Sequence, residues 1–473
     1  MVPNLAGIVN RCFAKILFPA DAAVVLAVFV ATLVSAANAG AQIRQLTANA
    51  GTCTMFAPSA NADGSLTAFE SNCDLVGNNA DGNREIFQVD STGTVTQLTV
   101  SSGCANTSPS SNAVGDRVAF DSDCDFTGAN ADASVEIFLA KAAVIEQLTA
   151  ATLCSSLAPS INAVGDRVAF DSDCDFVATN SDANSEIFRV DASGLITQLT
   201  IDDSASGCSS IDASSDSSGD LIAFESDCDL SGGNLDQISE IFQVDGSGVL
   251  TQLTASPLDT CLSSAPSSDS AGALVAFESD CDYVGTNADA SIEIFRVSSA
   301  GLVTQLTDDD GSSACESNAP AMSPSGRAVL YSGFCDPTGD NADASLEIFL
   351  VGSSGVEQVT SQVSGCLSFA ADAFGQSKQA VLVSDCDFSA ANAGANQQIF
   401  SASLCFCGAP ASHFATSTNP VATDALLALN AAVALVYCDP CDCDVNNSGN
   451  IAASDALAIL KAATGQPIVF DCP

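Results

Sequence analysis

A twelve-residue run near the C terminus has the donor types and spacing of a calcium loop. Asp444-Val445-Asn446-Asn447-Ser448-Gly449-Asn450-Ile451 and the residues to Asp455 place oxygen donors at loop positions 1, 3 and 5. Glycine follows at 6, an apolar residue at 8 and a carboxylate at 12. Calcium is a hard cation that takes oxygen ligands, and this order lets one short loop wrap the ion around a sharp glycine turn. Asp444, Asn446, Ser448 and Asp455 would ligate through side chains, and Asn450 through its backbone carbonyl. Ser448 stands where aspartate is usual and Ala452 offers no ligand at position 9, so one site of reduced affinity is expected. The bland alternative is an Asx-rich turn that holds no metal.

Oxygen donors also recur along the body of the chain. Asp74, Asp125, Asp175, Asp229, Asp282, Asp336 and Asp387 each follow a cysteine. An N-x-D element comes next, as in Asn79-Ala80-Asp81 and Asn130-Ala131-Asp132, until the seventh copy puts Gly394 in place of the aspartate. Such a ring could ligate calcium or meet a cationic partner. Equally, Asn and Asp cap their own turns through local backbone hydrogen bonds, and residues present in every repeat usually serve the repeat. A unique site should then lie where the repeat is broken, as at Asp308-Asp309-Asp310 and Tyr331.

Catalysis finds little support. The single histidine, His413, lies outside the repeats and reads as a surface or loop residue, and no G-x-S-x-G elbow is present. The acids are too many to exclude a carboxylate pair for glycoside cleavage, while the lack of tryptophan weakens a sugar-stacking cleft. Acidic residues outnumber basic ones 57 to 12 in a chain only 15% charged, so there is ample apolar content for a core. That sign argues against nucleic acid, whose phosphates need Lys and Arg, and makes cations the natural partners. The acid excess would also serve simply to keep an exported protein soluble.

Residues 1–39 read as a signal peptide. Arg11 and Lys15 flank the apolar run Ala22–Val34, and Ala37-Asn38-Ala39 has the small-x-small form of a cleavage site. No later segment is apolar and long enough to span a bilayer. Cys12 falls within this leader. Fourteen further cysteines form seven pairs spaced 20 residues apart, from Cys53/Cys73 to Cys366/Cys386. Six more close the chain at Cys405, Cys407, Cys438, Cys441, Cys443 and Cys472. Even counts in an exported chain read as disulfides, although the cluster from Cys438 to Cys443 has spacing that zinc would also accept.

The elements that hold these groups repeat about every fifty residues. Each repeat offers a strand after its first cysteine (A), a strand of the type Arg117-Val118-Ala119-Phe120-Asp121 (B), an EIF strand such as Glu136-Ile137-Phe138 (C), and a QLT strand such as Gln147-Leu148-Thr149 (D). Four antiparallel strands, many times over, make a β-propeller. If A and B form a hairpin, a cross-link between them must be symmetric about the turn. The midpoints Val114, Val164, Ser218, Ala271 and Ser325 each precede a glycine, as a tight turn requires, so in-blade disulfides are expected. Seven B and seven C strands are present, but the QLT series starts early, at Gln45, and ends before the last C strand. A seven-bladed ring closed by its own N-terminal strand uses every piece and removes the open sheet edges.

The pattern PSxNAxGDRVAFDSDCD, NADxxxEIF, TQLT resembles the TolB-like, WD40-like (PD40) propeller repeat over about residues 42–403. The resemblance implies a six- or seven-bladed platform for protein or ligand binding, and in some members an enzyme scaffold. The duplicated segments Ala422–Leu429 and Ala453–Leu460, with their Leu and Ile positions on one helical face and the calcium loop before the second, resemble a dockerin-like module over about residues 405–473. In the first copy His413, Ala415 and Ser417 occupy the ligand positions, so only one calcium site is expected. The expected organisation is a signal peptide (1–39), an all-β seven-bladed propeller (40–403) and a small α-helical, disulfide-rich, calcium-binding module (404–473). The expected protein is a secreted or periplasmic, monomeric, non-catalytic binding or scaffold protein. Its propeller face would take a protein or carbohydrate ligand and its tail a cohesin-like partner. The second reading is a secreted polysaccharide-active lyase or glycosidase.

Overall fold

The computed structural model describes residues 42–403, short loop stretches excepted, and toward the C terminus 422–433, 451–464 and a few positions beside them. Seven four-stranded antiparallel sheets follow one another along the chain. In blade 2 the A strand is Asn106–Ser111, B is Arg117–Ser122, C is Glu136–Lys141 and D is Val144–Gln147. B and C pair in unbroken register from Arg117 opposite Lys141 to Ser122 opposite Glu136. Alternation turns Phe120 and Phe138 to the same side, where their rings stack at 5.7 Å. The same stack recurs in blade 6 as Tyr331 on Phe349 at 5.4 Å.

The core lies between blades. Ala119, Ile137 and Leu139 of blade 2 pack on Val168, Phe170, Phe188 and Val190 of blade 3. Small and large residues thus interdigitate across each junction, so no blade buries its faces alone. The A strands of neighbouring blades touch one another, which puts A at the axis and D at the rim. The turns between A and B link the ring on one face, where the Ala113 N–H donates to Ala163 O at 3.0 Å. Gly165 shows why glycine recurs there. Its φ is +78°, and an added Cβ would lie 2.6 Å from Arg117 Cδ of the preceding blade. It serves both the turn and the close approach.

Closure follows the expected scheme. The N-terminal strand Gln42–Gln45 pairs antiparallel with Gln398–Ser403 as the outer strand of blade 7. Thr47 Oγ1 accepts the Ile399 N–H at 2.9 Å and donates to Gln398 Oε1 at 2.8 Å. All seven 20-residue cysteine pairs are disulfides within their own blades, with Cα atoms 5.0–5.3 Å apart. Each ties the connection entering A to the end of B, as hairpin symmetry requires.

Two helices lie near the C terminus, α1 (Ala422–Ala432) and α2 (Ala453–Ala463). Their shared core is Ala425, Ala428, Ala456 and Ile459 with Cys443 and Val445. Leu426, Leu429, Leu457 and Leu460 are exposed. Of the Leu and Ile positions, Ile459 is in the core and Leu427 packs partly buried against it. The seam is rich in alanine, whose small side chain lets two helices approach closely. Cys443 is disulfide-bonded. Among the described residues no helix is long and apolar enough to cross a membrane.

Candidate functional site

The B–C loops and D–A connections share the face that carries the disulfides. In blade 2 the buried Glu136 of the EIF motif organises this face. Its Oε2 accepts the Thr149 hydroxyl at 2.5 Å and its Oε1 accepts the Ala151 N–H at 2.6 Å. Thr149 Oγ1 in turn accepts the Ile137 N–H at 2.8 Å, so the EIF and QLT motifs are two halves of one clasp between C and D. Asp125 Oδ1 accepts the Asn130 N–H at 3.0 Å. The Asn130 amide donates to Cys124 O at 3.3 Å and Ser134 O at 2.8 Å. Asp387 holds the Asn392 N–H at 2.8 Å in the same way, even in the copy that lacks the N-x-D aspartate. The recurrent aspartate after each second cysteine is thus a turn cap.

A second group of acids lines the axis. The fifth residue of B is Glu70, Asp121, Asp171, Glu225 or Glu278 in blades 1–5, then Ser332 and Val383. Four of these carboxylates accept an N–H from the next blade's A strand: Glu70 from Ser108 at 3.0 Å, Asp121 from Ala158 at 3.1 Å, Glu225 from Ala265 at 2.9 Å and Glu278 from Ala319 at 2.7 Å. Each donor residue has positive φ, at a register shift in its A strand that turns the N–H sideways. Asp372 clasps the last junction by accepting the Ala60 N–H at 2.9 Å.

Burial raises the pKa of Glu70, Asp171, Glu225 and Asp372. Asp171 is pushed up to about 7 by desolvation, and the charges of Asp212 and Asp121 add to the shift. Glu225 also reaches about 7, through desolvation and then the charges of Asp212, Glu278 and Asp227. Asp372 is raised to about 6 by desolvation. Glu70 is raised less freely, because the Ser108 N–H and the Arg84 guanidinium oppose its desolvation. Arg84 Nη1 lies 2.9 Å from Glu70 Oε1 and the guanidinium sits 5.4 Å from the Phe56 ring centroid. Valine, serine, isoleucine, leucine or glutamine takes its place in the other blades, at Val135, Ser185, Ser239, Ile292, Leu346 and Gln397.

These axial acids are spelled out in the AFES and AFDS motifs, yet the motif read alone as a strand running into an acidic turn. Their loss at Ser332 and Val383 was the available signal. Of the repeat-breaking positions singled out from sequence, Tyr331 is core, 1% exposed on Phe349, because it replaces a stacking phenylalanine. Asp308 is exposed, and Asp309, Asp310 and His413 lie outside the described residues.

Of the C-terminal loop, Asp444 and Asn446 lie outside the described residues. Ser448 and Asn450 are exposed, and the Ser448 hydroxyl donates to Asn450 O at 3.0 Å. Asp455 is fully buried. Its Oδ2 accepts the Ala452 N–H at 2.9 Å, whereas its Oδ1 has no hydrogen-bond partner.

No family model and no curated protein sequence matches the chain. Solved structures do. An oligogalacturonate lyase in complex with manganese is 14% identical with a TM-score of 0.51, over 80% of this chain and 96% of that one. An oligogalacturonate lyase from Vibrio parahaemolyticus is 10% identical with a TM-score of 0.49, over 77% and 97%. TolB from Acinetobacter baumannii is 15% identical with a TM-score of 0.38, over 66% and 81%. At these identities the likeness to the manganese-bound lyase shows a shared propeller fold and no more, since one fold hosts many activities.

Proposed function

We propose that this is an exported, non-catalytic binding protein whose acidic propeller face receives a cationic partner and whose calcium-supported, dockerin-like tail tethers it to a cohesin-like protein. Seven disulfides indicate an oxidising compartment, extracellular or periplasmic. Charge asymmetry carries the reading of the face. Arg117, Arg167, Arg189 and Arg296 donate to backbone carbonyls of the A–B turns on the opposite face. Among the described residues, the only cation at the start of a C strand is Arg84, and Glu70 already pairs with it. The face is left with exposed carboxylates in six consecutive B–C loops, including Asp81, Asp132 and Asp182, so a basic protein surface is the best complement. For the tail, Asp455 supports the calcium reading, because it sits at loop position 12 with a buried oxygen to spare.

A capture experiment on the full chain tests the face. In calcium-free buffer, binding to a basic protein should weaken steeply with salt and be lost when Asp81, Asp132 and Asp182 are changed to Asn. Salt-insensitive capture would sink the proposal. The lyase or glycosidase reading keeps one observation in its favour: Asp171 and Glu225, on the axis with pKa values raised to about 7, have the poise of a general acid or base. Release of sugar from a polysaccharide panel, abolished by Glu225→Gln, would favour that enzyme instead.

A further inference from the structure

We propose that the B–C loops of blades 1, 2, 3, 5 and 6 are calcium sites, separate from the C-terminal loop. The sequence element is N-x-D-x-[S/N]-x-E, which places four oxygen donors at alternate positions around a tight turn, closed in blade 2 by the Ala133 N–H on Asn130 O at 3.2 Å. In blade 2 these are Asn130, Asp132, Ser134 and Glu136.

Blade 2 crowds its oxygens. Ser134 Oγ lies 3.0 Å from Asn130 Oδ1, 3.3 Å from Asp132 Oδ1, 3.2 Å from Glu136 Oε1 and 3.1 Å from Ala151 O. A hydroxyl has one proton, so it can satisfy one of these four acceptors. The other three face it as lone pair against lone pair. Blade 5 repeats the arrangement, with Ser291 Oγ at 3.1, 3.4 and 3.0 Å from Asn287 Oδ1, Asp289 Oδ1 and Glu293 Oε1. Blade 6 does so with Ser345 Oγ at 3.1, 3.1 and 3.2 Å from Asn341 Oδ1, Asp343 Oδ1 and Glu347 Oε1. Oxygens about 3–3.5 Å apart are what a cation at ~2.4 Å from each would produce.

The second observation comes from blades 1 and 3, where asparagine replaces the serine. There Asn79 Oδ1 and Asn180 Oδ1, on residues 2% and 1% exposed, have no hydrogen-bond partner. Their amide nitrogens donate to the carbonyls of Cys73 and Cys174, as Asn130 does to Cys124, so the orphaned oxygens point where Asn130 Oδ1 points. Asn83 Oδ1 and Asn184 Oδ1 are buried without partners as well, although Asn83 Nδ2 donates to Glu85 Oε1 at 3.1 Å and Asn184 Nδ2 is also unpaired. Buried acceptors left unpaired cost free energy unless something pairs them.

Blade 7 supplies a built-in contrast. Gly394 and Gln398 replace both carboxylates. Asn49 O, the counterpart of Ala151 O, instead accepts Gln398 Nε2 at 2.9 Å and Asn396 Nδ2 at 3.2 Å. Where the negative charge is gone, N–H donors fill the space that a cation would fill. Blade 4 loses the middle ligand to Ile238. The five intact loops each offer two carboxylates with neutral oxygens and no nitrogen or sulfur ligand, which suits calcium, with water completing the shell. In blade 2 the ion would tie the B–C loop to the D–A connection through Ala151 O.

Calorimetric titration of the mature full chain with calcium, after chelation and dialysis, tests this. The expected stoichiometry is five beyond the C-terminal loop, and Asp455→Asn in the same chain removes the latter from the count. Asp132→Ala should lower the count by one, while Asp236→Ala in the interrupted blade 4 should leave it unchanged. These aspartates are exposed, so neither change threatens folding. Calcium should also raise the melting temperature, by more than about 5 °C at saturating concentration. A count of one or none, or equal losses from Asp132→Ala and Asp236→Ala, would overturn the proposal.

Discussion

Asp171 and Glu225 make the axis sensitive to pH. Both titrate near 7 in the folded ring and near 4 in an unfolded chain, so between those limits the folded state holds more protons. The stability they contribute is fully present below about pH 4 and is lost as pH rises through 7. Asp90, lowered to about 2 by the Thr92 hydroxyl and the Thr94 N–H, acts in the opposite sense but only in strong acid. From pH 7.5 to 5.5 the melting temperature should therefore rise, by roughly 2 °C for a chain of this size. Glu225→Gln keeps an acceptor for the Ala265 N–H and should flatten that rise by about half. An unchanged slope would mean that Glu225 is ionised and solvated in the ring. Sequence reading stopped short at this scale. Of the two readings that the repeated acids allow, a turn cap and a cation ligand, Asp125 takes the first through its bond to the Asn130 N–H. The next-blade partner of Glu70 or Glu225 is invisible in one strand, because it depends on a positive-φ residue some forty positions away.

Within a blade, the legible and illegible parts divide by range. Hairpin symmetry links Cys154 to Cys174 through a turn centred beside Gly165, and the bond forms there. The second duty of Gly165, clearance for Arg117 of the preceding blade, could not be read from its own hairpin. The C-terminal helices reverse the case. The Leu and Ile positions share one helical face, yet of them Ile459 joins Ala425, Ala428 and Ala456 in the seam while Leu457 and Leu460 stay exposed, because close approach favours the smaller side chains. Replacing Cys154 and Cys174 together with Ala should destabilise the fold by about 3 kcal/mol in the chain-entropy account of a 20-residue loop. Chemical denaturation checks it. The midpoint should fall while the bridges of the other six blades persist in peptide mapping, since each hairpin is stapled on its own.

At the scale of the ring, six blades are each built from consecutive strands, and one is not. Blade 7 borrows its outer strand from the far end of the chain, and Thr47 reaches Gln398 across 351 residues. The same threonine clasp recurs inside blade 3, where Thr200 Oγ1 accepts the Ile187 N–H at 2.8 Å. Chemistry at the two positions is matched, but connectivity differs. Loss of the hydroxyl at Thr200 leaves D tethered to C by a short turn, so the strand stays at high local concentration. Loss at Thr47 weakens a contact to blade 7 by a segment whose nearby covalent ties run only to blade 1, through Cys53, and exposes the edge of Gln398–Ser403 when the N-terminal strand leaves. Thr47→Val and Thr200→Val should therefore each cost about 1–3 kcal/mol by leaving buried polar groups unpaired, yet differ in how the molecule opens. Limited proteolysis under native conditions should cut Thr47→Val early near residue 41 and leave Thr200→Val intact. Equal protection of both variants would show that the ring does not open at its seam, and that the seven interblade cores, rather than the terminal strand, hold it shut.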